Sequence, residues 1–206
     1  MVRTNSTMLP IGTRLPKFDL PMVNYQENAG KTDFLNLRRI DNSLLASKPA
    51  LFMVICAHCP FVKHIEQQLT NLDQDYGGQV QLIAISSNSL LTHPQDGPEQ
   101  LAEQALLNKW RFPYLLDAEQ TFAKALRAAC TPDFFLFSLN EKGEHLLSYR
   151  GQLDSSRPGN DLPVSGKDLR KALDAVLSST AVQEDQKPSI GCNIKWNPGE
   201  EPEWFG

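Results

Sequence analysis

Val54-Ile-Cys-Ala-His-Cys-Pro-Phe-Val-Lys-His64 is the stretch that decides how the chain reads. Two cysteines, Cys56 and Cys59, stand two residues apart, with His58 between them and Pro60 just after. The run Ala50-Leu-Phe-Met-Val-Ile55 leads into the first of them. It is rich in strand formers and does not alternate, which is the pattern of a strand buried on both faces. Beyond the pair, Phe61, Val62, Ile65, Leu69 and Leu72 recur at helical spacing until Gly77-Gly78. That predicts a helix over 59–76. The two sulfurs therefore fall at a strand-to-helix junction.

Working outward, strands are expected at 17–20 and 33–37, with a turn at Asn28-Ala-Gly30. A short helix over 42–48 ends at Pro49, because proline disfavours helix at the preceding residue. Strands at 79–86 and 112–116 alternate with helices at 99–110 and 118–129, and 87–98 reads as a polar loop. Asp133-Phe-Phe-Leu-Phe-Ser-Leu139 is a strand, and Asn140 to Gly143 is a tight turn. A partner strand lies at 144–150, then a loop to Gly166 and a helix over 167–178. Strands alternating with helices imply parallel pairing through crossover helices. The closing hairpin adds antiparallel strands, so the expected fold is α/β, a mixed sheet flanked by helices. We expect one domain over 1–206, with a core at about 15–179 and a C-terminal extension at about 180–206.

The chain has 206 residues and a net charge of −4, with 41% apolar and 21% charged residues, as ordinary soluble globular proteins have. Its lysines and arginines are scattered and form no basic stripe, which argues against nucleic acid as a partner. No apolar run is long enough to span a bilayer, and the first twenty residues carry no secretory pattern. A cytoplasmic protein is expected, and there a Cys-x-x-Cys pair is catalytic or metal-binding more often than a static disulfide. Four cysteines with only two close together do not make a disulfide scaffold.

A cysteine in the first turn of a helix has its thiolate favoured by free backbone N–H groups and by the helix dipole. His58 would stabilise a thiolate further if protonated or donating a hydrogen bond. In this geometry the first sulfur, Cys56, is expected to be exposed and to attack, and Cys59 to resolve the mixed disulfide. Cys130 precedes Thr131-Pro132 and is either a third redox thiol, a group that tunes Cys56, or a small buried hydrophobe. Cys192 lies in a polar tail, 180–206, that Ile190, Ile194 and Trp196 would fold back onto the domain. It is either a resolving thiol or a buried residue of a structural clasp. Arg157 could lower a thiol pKa or hold an anion; the plainer reading pairs it with Asp154 or Asp161. A zinc or iron–sulfur site would need Cys56 and Cys59 with His58 or His64 and a distant cysteine, but only one ligand pair is present.

The order of elements, Cys56-Ala-His-Cys59-Pro60 and Thr131-Pro132 resemble the thioredoxin superfamily. More narrowly, the chain resembles the peroxiredoxin-like proteins of the redoxin or alkyl hydroperoxide reductase/thiol-specific antioxidant type. The resemblance runs through Leu15 to Leu20, Cys59 to His64, Cys130 to Leu136, Tyr149 to Asp154, Ser156 to Gly159 and Lys187 to Trp196. It implies a thioredoxin-like fold with an N-terminal hairpin extension, thiol redox chemistry, and a cis-proline at Pro132 facing the cysteine pair. One departure stands out. Peroxiredoxins carry a threonine or serine three residues before the reactive cysteine, where this chain has Met53 before Cys56 and Cys56 before Cys59.

The expected activity is thiol–disulfide oxidoreduction by Cys56 and Cys59, with His58, Thr131 and Pro132 shaping the site. No bound cofactor and no resident metal is called for. The partner would be a dithiol or disulfide protein, a small thiol, or a peroxide. The alternatives are a thiol peroxidase and a metal-binding protein of the same fold.

Overall fold

A computed structural model describes residues 3–25, 37–45 and 47–204. The strands are β1 (Arg3–Asn5), β2 (Asp19–Pro21), β3 (Arg39–Asp41), β4 (Ala50–Val54), β5 (Gln81–Ser86), β6 (Tyr114–Leu116), β7 (Cys130–Thr131), β8 (Asp133–Leu139), β9 (His145–Gly151) and β10 (Ile190–Asn193). The helices are α1 (Pro60–Lys63), α2 (Glu66–Tyr76), α3 (Pro98–Leu107), α4 (Thr121–Ala125) and α5 (Lys167–Leu177).

The central sheet has the order β6-β5-β4-β8-β9. β4 pairs in parallel with β5, and β5 with β6. β4 and β9 each pair antiparallel with β8. The expected mixed sheet is thus present, and the unalternating run of β4 sits at its middle. All five of its residues are buried because both faces are covered. Leu51 and Met53 pack with α2 residues Leu69 and Leu72 in one cluster. Ala50, Phe52 and Val54 pack on the other side with Phe18, Phe122 and Phe137. There the Phe52 ring meets Phe18 and Phe137 edge-on, at 5.5 and 5.8 Å between centroids.

Several elements differ from the sequence expectation for identifiable reasons. The helix expected over 59–76 is broken after Lys63, where Ile65 N donates to Val62 O, three residues back instead of four. His64, at the break, is hydrogen-bonded through Nε2 to Ser156 Oγ at 2.8 Å. The helix expected over 118–129 shrinks to α4. Asp117 caps its first turn by accepting from Phe122 N and Ala123 N, and left-handed backbone at Gln120 and Arg127 brackets it. The 42–48 helix is a single 3-10 turn over Asn42–Leu45. β2 pairs antiparallel with β3; residues 33–36 of the expected strand and the turn at 28–30 lie outside the described residues.

The tail holds a strand that the sequence reading did not foresee. β10 runs antiparallel between β1 and β7, with Cys192 opposite both Arg3 and Thr131. Ile194 and Trp196 are buried in the second cluster, as expected of a tail folded back onto the domain. Gly191 permits the close approach, since a Cβ there would stand 2.0 Å from the carbonyl oxygen of Thr131.

Candidate active site

Four elements meet at the sulfurs: the end of β4, the start of α1, β7 and β10. Cys56 lies two residues beyond β4, and Cys59 is the N-cap of α1. The Thr131–Pro132 peptide bond between β7 and β8 is cis, as expected. Thr131 turns its hydroxyl and its carbonyl oxygen to the pair. Thr131 Oγ1 is 3.6 Å from Cys56 Sγ, and Thr131 O is 3.3 Å from Cys59 Sγ. Cys192 arrives from the tail, its Sγ 2.8 Å from Cys59 Sγ.

Cys56 was expected to be the exposed sulfur, but it is fully buried, as Cys59 is. It lies under the half-buried residues Ala57 and His58 and against Thr131. The charge is also placed differently from the sequence expectation. The Cys56 thiol is pushed well up because it donates to Cys59, because it is buried, and because the Asp96 carboxylate stands nearby. The Cys59 thiol is pulled down to about 2, first by the thiol of Cys192 and then by that of Cys56. Cys192 is raised by donating to Cys59 and by burial. The carbonyl of Thr131 can only accept and so favours protonated Cys59, but the donors around that sulfur outnumber it. Cys59 is thus the sulfur on which the other two bear, and contact with Cys192 and Cys56 favours its ionised form.

His58 also departs from expectation. Its Nδ1 lies 2.5 Å from Asp96 Oδ2 and 4.0 Å from Cys56 Sγ. Facing an ionised carboxylate, that nitrogen carries the proton and gives it to Asp96, not to the thiol. Asp96 is fully buried. Its Oδ1 accepts from Ala57 N and His58 N, and its Oδ2 accepts also from Asn88 Nδ2 at 2.7 Å. Burial alone would raise this carboxyl, but the His58 and Asn88 donors hold it below its ordinary value. Asn88 Oδ1 in turn accepts from Lys195 N at 2.9 Å, which ties the tail to the histidine.

Cys56 Sγ, His58 Nδ1 and Asp96 Oδ2 lie within 4.8 Å of one another, close enough to consider a cation. Both Asp96 oxygens are already saturated by four donors, so an ion would have to break a complete network. The other proposed ligand, His64, is bonded to Ser156.

Cys130 is buried with its Sγ 3.8 Å from Pro132 O, and burial followed by the Asp133 charge raises its thiol well above the ordinary value. Arg157 pairs with neither expected carboxylate. Its Nη1 donates to the carbonyl oxygens of Asp154 and Ser156, and its Nη2 to Gln152 Oε1. Together with Pro132, Phe61, His64 and Ile190 it lines a small cleft beside the cis-proline. Sequence reasoning missed Asp96, Asn88 and Gln104, whose Nε2 donates to Cys56 O. Asp96 and Asn88 lie in a polar loop, and only their fold-given proximity reveals them.

This is a thioredoxin-like fold with a cysteine pair at the strand-to-helix junction and a cis-proline beside it. The chain belongs to the AhpC/TSA family, whose pattern it matches over residues 11–150. It is 41% identical to an uncharacterised conserved protein from Geobacillus kaustophilus, covering 96% of this chain and 98% of that one with a TM-score of 0.86. A hypothetical protein from Sinorhizobium meliloti is 39% identical, covering 95% and 100%, with a TM-score of 0.85. A secreted disulfide oxidoreductase of Mycobacterium tuberculosis shares the fold at 13% identity, covering 77% and 95%, with a TM-score of 0.54. No curated protein matches the chain.

Proposed function

We propose that the protein is a thiol–disulfide oxidoreductase whose working pair is Cys56 and Cys59. The observation that carries this reading is the placement of the pair, Cys56 just beyond β4 and Cys59 at the N-cap of α1, with the cis-proline Pro132 and Thr131 against both sulfurs. Cys56 attacks a substrate disulfide, forming a mixed disulfide, and the departing substrate thiolate takes up the proton that Cys56 gives. Cys59, as thiolate, then attacks the Cys56 sulfur, the mixed disulfide breaks, and the second substrate sulfur leaves as thiolate. The products are a Cys56–Cys59 disulfide and a substrate reduced by two electrons. Thr131 and Pro132 form the wall against which the pair reacts, and Asp96 fixes His58 over Cys56. A second dithiol, on a protein or a small molecule, returns the electrons.

The test is turnover of a disulfide-bonded protein substrate with dithiothreitol as donor. Cys56→Ser is expected to abolish it and Cys59→Ser to arrest it at a trapped mixed disulfide. Full activity in Cys56→Ser would refute the assignment.

One observation favours a second reading, a thiol peroxidase. The hydroxyl missing from the sequence position before the cysteine is supplied in space by Thr131, 3.6 Å from Cys56 Sγ. Hydrogen peroxide consumption by the wild type, lost in Thr131→Val, would support it.

A further inference from the structure

The tail brings a sulfur where a structural clasp does not need one. Cys192 Sγ lies 2.8 Å from Cys59 Sγ. That is closer than two unbonded sulfurs normally rest, yet beyond the about 2.05 Å of a disulfide. Both are buried, and Cys59 also interacts with Cys56. The middle sulfur thus has a partner on each side.

The approach is built by backbone on three sides. Gly191 lets β10 pass against Thr131 O, at a separation no Cβ could share. β1 and β7 grip the strand from either edge, in register at Cys192. Just beyond, Lys195 O accepts from Ser89 N at 2.7 Å and from Gln120 Nε2 at 2.8 Å. Asn197 N donates to Gln120 Oε1 at 2.7 Å. The segment carrying Cys192 is therefore held on both sides of the sulfur, by strand pairing at 192 and by Ser89 and Gln120 at 195 and 197.

We infer that Cys192 is a third redox thiol, which takes over the disulfide from Cys56 by exchange at Cys59. This rests on the dithiol reading given above. In the step, the Cys192 thiolate attacks the Cys59 sulfur of the Cys56–Cys59 disulfide. The Cys59–Cys192 bond forms, the Cys56–Cys59 bond breaks, and Cys56 leaves as thiolate and takes up the proton that Cys192 gave. No electrons enter or leave, so no further oxidant is required. The outcome is a protein that stores its disulfide in the buried pair, ties β10 covalently to α1, and regains Cys56 as a thiol.

The test is peptide mapping of full-length protein equilibrated with oxidised glutathione, trapped by acid alkylation and digested with trypsin. Cys56 and Cys59 fall in one peptide, ending at Lys63, and Cys192 in another, ending at Lys195. The expected result is a cross-linked pair of these two peptides in the wild type, retained in Cys56→Ser, where only Cys59 can supply the link. If the peptide ending at Lys63 carries only an internal Cys56–Cys59 disulfide, and Cys56→Ser yields no cross-link, the inference is overturned and the dithiol reading stands. If neither bond forms and only glutathione adducts are recovered, both fall. The wild-type measurement needs no substitution, so a variant that fails to fold does not blunt it.

Discussion

Asp133 follows the cis-proline and is buried without a cationic partner among the described residues, and removing its charge should stabilise the protein in a pH-dependent way. Burial raises its carboxyl from the ordinary 3.8 to about 8, with the Ser189 hydroxyl and Phe134 N offsetting part of the rise. Between those two values the folded chain holds a proton that the unfolded chain has released. Stability is therefore fully present below the unfolded pKa and falls as pH rises toward the folded one. Each pH unit in that window costs about 1.4 kcal/mol. Asp133→Asn keeps the shape and cannot ionise. The difference in unfolding free energy, variant minus wild type, should then grow by about 3 kcal/mol from pH 5 to pH 7.5. Any fixed effect of the amide cancels in that comparison, as do the other titrating groups. The assay is urea unfolding of both proteins, reduced, at the two pH values. A difference that stays flat within about 0.5 kcal/mol would show that Asp133 ionises normally in the folded state and would refute the reasoning.

Three further outcomes are expected. Asp96→Asn sets an amide donor against the backbone and side-chain donors that now share the carboxylate. It should cost roughly 2–4 kcal/mol and lower the thermal midpoint by roughly 5–15 °C; with the Asp96 charge gone, Cys56 should alkylate at lower pH than in the wild type. Gly191→Ala puts a methyl group into the Thr131 carbonyl. It should destabilise by roughly 2–4 kcal/mol and open the tail to trypsin at Lys195, whereas a wild-type digestion rate would count against the close approach. Cys59 should keep a thiolate ultraviolet band at pH 5 that Cys59→Ser lacks, its stabilising charge being present above the unfolded thiol pKa and lost as pH falls toward about 2. A band that titrates away near the ordinary thiol range would place the charge elsewhere.

The junction was legible because its signals are local. An unalternating apolar run, two cysteines and a helical repeat are adjacent in sequence, and they place β4, Cys56, Cys59 and the start of α1 correctly. Thr131-Pro132 was legible as a motif ahead of a strongly apolar strand. What stayed hidden depends on partners far along the chain. β10 is four residues long, does not alternate, and exists because β1 and β7 flank it from opposite ends of the sequence. The helix dipole argued for the cysteine pair is weaker than expected, because the long helix breaks at His64 and leaves α1 only four residues. The largest influences lowering the Cys59 thiol are the neighbouring thiols Cys192 and Cys56, with Val62 N of α1 a smaller one. The role of His58 was misread because its partner, Asp96, is thirty-eight residues away in a loop with no periodic signal.

The central claim is that Cys56 and Cys59 form a reversible disulfide. The most direct measurement is a glutathione redox titration of Cys192→Ser, counting alkylated cysteines on the peptide ending at Lys63 by mass. The account expects both sites to be lost together as the buffer becomes oxidising and both to return on reduction, in one two-electron transition. Both sites remaining alkylated across the whole range, or a loss that reductant does not reverse, would contradict it.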